Sequence, residues 1–70
     1  MFNMKIDKQL NIQDRTLLLG VPDYDIIPKE ILVDGNKYGV IGVSLGVKPP
    51  YLSLEIEKTD SKLEGKTITV

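Results

Sequence analysis

Seventy residues with nine basic and ten acidic side chains, a net charge of -1, leave room for one hydrophobic core and argue against a second domain. The chain has no cysteine and no histidine, which excludes disulfide staples and thiolate chemistry and removes the commonest general base and zinc ligand. Near-balanced charge also speaks against a dedicated nucleic-acid-binding domain, which needs a strongly basic surface to neutralise phosphates.

The apolar 41% is almost entirely Leu, Ile and Val, with no Ala and no Trp, a composition suited to pleated strands rather than helices. Phe2, Met4 and Ile6 alternate with Asn3, Lys5 and Asp7, the period-two signature of a strand with one buried face. Leu10 and Ile12 continue that parity, with Lys8 an interruption that marks an edge or a turn, and the polar residues 11–14 close the connection. Residues 15–21 form a second strand, in which Leu17-Leu18-Leu19 suggests burial on both faces or a local twist, and Gly20 could supply a bulge. Pro22-Asp23-Tyr24-Asp25 breaks the strand, and Ile26-Ile27 before Pro28 should be extended, because a residue preceding proline avoids the helical region.

Ile31 and Val33 then lead into Asp34-Gly35-Asn36, and Asp-Gly between apolar alternations is a strong hairpin signal. In residues 38–47, Tyr38 and Val40 share one parity while Ile41, Val43, Leu45 and Val47 share the other. A parity switch beside Gly39 and Gly42 predicts a β-bulge that lets one strand serve two sides of a small barrel. After the stiff Lys48-Pro49-Pro50, Leu52, Leu54 and Ile56 alternate cleanly with Ser53, Glu55 and Glu57. Residues 59–65 are polar, with Ser61 and Glu64 spaced as in a capping box that would start a single helical turn. Thr67 and Thr69 alternate with Ile68 and Val70 in a last strand. The whole predicts one all-β domain over residues 1–70, a small six-stranded antiparallel barrel, closed or partly open.

The order of these features resembles the second-domain β-barrel of the elongation factor Tu class of translation GTPases, over about residues 15–70. RTLLLGVPDYDIIPKE looks like that barrel's strand, glycine, strand opening; EILVDGNKYGVIGVSLGV is similar to its central hairpin; and YLSLEIEKTDSKLEGKTITV looks like its closing pattern. Pro28-Lys29-Glu30 stands where the family usually has a glycine-aspartate pair, and no GxxxxGK[ST] phosphate loop is present. The resemblance implies a free-standing barrel that contacts RNA or neighbouring domains and does no chemistry.

Candidate contact residues gather at two places. Lys48-Pro49-Pro50-Tyr51 is a rigid loop holding a base and an aromatic ring, able to stack a nucleotide base or dock a partner. Lys37 and Tyr38 beside the hairpin tip would join Lys48, Pro50 and Tyr51 in one basic-aromatic face if their strands are neighbours. The plainer alternative is a proline-fixed turn with solvated lysines and half-buried tyrosines. Asp23, Asp25 and Glu30 lack the spacing of a calcium loop, Glu55 and Glu57 suit a solvated outer face, and Ser44, Ser53 and Ser61 have no histidine to activate them. The expectation is therefore a non-enzymatic module with no metal, cofactor or small-molecule substrate. It would bind protein by self-association or by docking on a larger assembly, with RNA as the alternative partner. The N-terminus shows no apolar leader and no run is long enough to span a bilayer, so the expected setting is cytoplasmic.

Overall fold

A computed structural model describes residues 2–23, 27–44, 48 and 50–69, the side chain of Ser44 excepted. Six antiparallel strands, β1 (Met4–Ile12), β2 (Arg15–Pro22), β3 (Glu30–Val33), β4 (Asn36–Ser44), β5 (Leu52–Glu57) and β6 (Thr67–Thr69), close into a barrel in the order β1-β2-β5-β4-β3-β6. Among the described residues there is no helix. The expected extension of Ile26, the parity of Leu45 and Val47, and Val70 at the end of the last strand lie outside the described residues.

Alternation supplies the core. Met4 and Ile6 from β1, Leu18 from β2, Ile31 and Val33 from β3, Leu54 and Ile56 from β5 and Ile68 from β6 all point inward and are buried. β4 contributes the half-buried Tyr38, Val40 and Val43. Phe2 and Leu63, which lie outside the strands, complete the cluster.

The hairpin expected at Asp34-Gly35 is present, closing on the Val33–Asn36 pair. Both turn residues have positive φ, 57° and 82°, as a type I′ turn requires. The bulge expected in β4 is also present: the register slips between Val40 and Gly42, leaving Ile41 as the extra residue. Before it, β4 pairs with β3; from Val40 onward it pairs with β5. One strand thus turns a corner and serves two sides of the ring.

Three local expectations are corrected. Gly20 is not the site of a bulge; the slip lies in the opposite strand, between Ile6 and Lys8, across from Gly20 and Leu19. That slip reverses the parity of β1, so Leu10 and Ile12 point outward instead of continuing the buried face of Phe2, Met4 and Ile6. Lys8, the interruption seen in the sequence, is the first residue after the bulge. The capping box at Ser61 and Glu64 does not form. The Ser61 N–H donates to Thr59 Oγ1, and residues 63–66 make a reverse turn in which Lys66 N–H donates to the Leu63 carbonyl at 3.0 Å. Gly65 at φ 87° is the reason the chain reverses there rather than coiling.

Candidate functional site

The sequence-predicted residues fall at two separate places. Lys37 pairs with Leu32 and is exposed, beside Glu30 and Ile31 at a shallow depression of about 200 Å³. Tyr38 pairs with Ile31 and turns the other way, against the core. Neighbours on a strand point to opposite faces, so these two side chains do not share one surface. Lys48, Pro50 and Tyr51 are exposed together in a turn closed by Tyr51 N–H donating to the Lys48 carbonyl at 3.0 Å, with Pro49 outside the described residues. That turn follows the far end of β4, roughly 20 Å of strand beyond Tyr38 at about 3.3 Å per residue. The barrel brings Lys48, Pro50 and Tyr51 together and does not bring Lys37 and Tyr38 to them. Asp25 lies outside the described residues, so the acidic grouping with Asp23 and Glu30 is not defined.

A different surface was hidden from sequence reasoning by the bulge in β1. Leu10, Ile12 and Val21 are 52%, 48% and 43% exposed. Leu17 and Leu19, half-buried, share the outer parity of β2 with Val21, and Leu10 sits directly across from Leu17. The outside of the β1–β2 hairpin is therefore an aliphatic patch. Lys8 lies at one side of it, opposite Leu19, and Arg15 at the other, opposite Ile12. The Arg15 guanidinium donates to Glu55 on β5, with Asp14 at 3.9 Å. Ile12, Gln13, Asp14, Arg15, Leu17 and Glu55 line a depression of about 500 Å³ at this corner. The one signal available beforehand was Lys8, a charge on an otherwise buried parity.

The inner side of the same hairpin carries polar groups that hold the segment before β6 in place. Gln9 works as a clamp: its Nε2 donates to the Ser61 carbonyl at 2.8 Å and its Oε1 accepts the Leu63 N–H at 2.7 Å. Asn11 Nδ2 donates to the Thr59 carbonyl at 3.3 Å. Thr16, fully buried, donates from Oγ1 to Asn11 Oδ1 at 2.8 Å and accepts the Thr59 N–H at 3.0 Å. These contacts fix the residues that deliver Leu63 to the core. Lys66 Nζ adds an exposed ion pair with Asp34 Oδ2 at 2.6 Å, worth about 0–1 kcal/mol in water.

Thr16→Val keeps the shape of the side chain and removes the hydroxyl, leaving the Thr59 N–H without its acceptor. The expected cost is about 1–3 kcal/mol in chemical denaturation, with faster hydrogen exchange at the Thr59 amide. An unchanged exchange rate there would show that the hydroxyl does not hold this segment.

Among the described residues there is no cluster of three or more acidic side chains able to hold a metal ion, and no helix long and apolar enough to cross a membrane. Compared with family models, with curated proteins and with solved structures, the chain matches none.

Proposed function

We propose that this chain is a non-enzymatic binding module that makes protein–protein contacts, by self-association or by docking on a larger assembly. The observation that carries the reading is the aliphatic patch outside the β1–β2 hairpin. Leu10, Ile12, Leu17, Leu19 and Val21 present a contiguous apolar surface on a chain whose core needs every aliphatic it can bury. The absence of histidine and cysteine from the sequence goes with a module that does no chemistry.

A second reading follows the resemblance to translation-factor barrels and would make RNA the partner. Tyr51, 46% exposed and closed into one turn with Lys48, supports it, because an exposed ring beside a cation can stack an unpaired base. The first reading is preferred, since Lys37 near the start of β4 and Lys48 beyond its end offer phosphates little charge.

The test compares the native chain with a Leu10→Ser/Leu17→Ser variant by light scattering and by affinity capture, and titrates both with single-stranded RNA over a range of salt. The expected result is a mass above that of one chain, or a discrete captured protein, lost in the variant. A native chain that stays monomeric and captures nothing, or a variant that behaves as the native chain does, overturns the reading. Salt-dependent RNA binding abolished by Lys48→Ala and Tyr51→Ala would establish the second reading instead.

A further inference from the structure

We infer that two copies of this chain join edge to edge along the second half of β1, antiparallel and centred on Leu10, so that two barrels share one continuous sheet. This rests on reading the chain as a protein-binding module and names its partner as a second copy of itself.

Barrel closure leaves part of β1 without a second neighbour. On the side away from β2, β6 pairs only with Met4 and Lys5. The next residue, Ile6, gives its N–H to the Lys66 carbonyl and accepts the Gly65 N–H. Beyond it no strand pairs with that side of β1 among the described residues.

The direction of the remaining backbone groups follows from the β1–β2 turn. Two residues, Gln13 and Asp14, separate the paired Ile12 and Arg15. A two-residue hairpin closes on a hydrogen-bonded pair, and hydrogen-bonded and non-hydrogen-bonded pairs then alternate along the ladder. Ile12, Leu10 and Lys8 therefore bond to β2, while Gln9 and Asn11 turn their N–H and C=O groups outward. The neighbouring segment is fastened by the Gln9 and Asn11 side chains, not by their backbones. Between that segment and the strand lies an open depression of about 600 Å³, lined by Gln9, Asn11, Asp60, Ser61, Lys62 and Glu64. A strand edge with outward-facing backbone groups at an open depression is a template for one more strand.

The spacing of the outward residues favours a second copy as that strand. A two-fold axis through Leu10 sets Gln9 of each copy opposite Asn11 of the other, which pairs the outward N–H and C=O groups of both residues in both copies. An axis through Gln9 or through Asn11 would pair only one of the two residues with its counterpart. The Leu10 register also places the two Leu10 side chains in a non-hydrogen-bonded pair, where Cα atoms approach to about 4.5 Å. Leu10 is the most exposed large apolar residue among the described residues, so this contact buries a side chain that needs it. Lys8 falls opposite Ile12 of the other copy, so the symmetry brings no like charges face to face. The interface is isologous and closes at two copies.

A chain without cysteine makes the register directly measurable. Leu10→Cys is expected to oxidise to a disulfide-linked dimer. Lys8→Cys and Ile12→Cys should each fail to link to themselves, yet link to one another when mixed. Leu10→Glu, which sets two carboxylates together across the axis, should reduce the mass in light scattering from two chains to one. Circular dichroism of each exposed-site variant verifies the fold, and the cysteine pattern decides the matter even if Leu10→Glu does not fold. A monomer at every concentration, or cross-linking that ignores the Leu10 register, overturns the inference. If the monomer still captures another protein through Leu10 and Leu17, the edge pairing fails and the binding-module reading stands; if it captures nothing, both fail.

Discussion

Leu54→Ala is expected to leave little of the chain folded at room temperature. Leu54 is fully buried at the middle of β5, opposite Leu18 on one side and Val43 on the other. It therefore joins the two halves of the ring. Truncating such a leucine removes its transfer free energy and leaves a cavity, together about 2–5 kcal/mol. A core from so short a chain rarely supplies more than about 3–5 kcal/mol in total. Urea titration monitored by circular dichroism should show the transition moved close to zero denaturant. Leu54→Met, which conserves volume, should cost less than about 1.5 kcal/mol. A loss below about 1 kcal/mol for the alanine variant would mean that Leu54 does not face the interior.

The second large effect is expected at Gly20, where the smallest substitution should do the damage. A Cβ there would lie 2.1 Å from the Lys5 carbonyl oxygen and 3.2 Å from its carbon. The obstacle is backbone, and that backbone is held from both sides, since Lys5 pairs with Val21 on β2 and with Thr67 on β6. Gly20→Ala must push β1 away from β2 where the ring closes. Overpacking of this kind costs about 1–3 kcal/mol and more where nothing can yield. For a domain this small each kcal/mol lowers Tm by about 4–8 °C, so a thermal scan should show a loss of several degrees. Gly39→Ala is the control, because a Cβ there meets nothing within 4 Å. Equal Tm values for the two variants would show that close strand approach at Gly20 does not matter.

These residues also show what the sequence made legible. The Asp34-Gly35 turn, the parity switch at Gly42 and the alternation of Leu54 and Ile56 are local signals, and each is found where it was read. Gly20 was recognised as special for the wrong reason. Its role depends on Lys5, a residue distant in sequence, and no local pattern reports how close two strands will pass. The bulge after Ile6 carries no glycine, so only the misplaced charge of Lys8 betrayed it. The rest of β1 beyond it falls on the opposite face, which is why Leu10 and Ile12 read as core from the sequence and are exposed. Leu17-Leu18-Leu19 suggests burial on both faces or a local twist; Leu18 fills the interior, but its two neighbours are only half-buried on the outside. Closure of the ring pairs most strand edges and leaves the end of β1. The basic-aromatic face required Lys37 and Lys48 to be neighbours. Their separation follows from the length of β4, which composition could not convey.

The position of β6 sets a timetable for making the protein. Thr67 to Thr69 sit between β1 and β3, bonding to Met4 and Lys5 on one side and to Leu32 and Val33 on the other. A ribosome delivers β1 first and its second neighbour last. Until residue 69 has emerged, the ring has a gap, and the nascent chain shows Met4, Ile6 and Val33 to its surroundings through that gap. Closure thus waits for the last strand of the barrel to be made. A chain stalled before β6 would present an unclosed barrel to whatever protease or chaperone meets it.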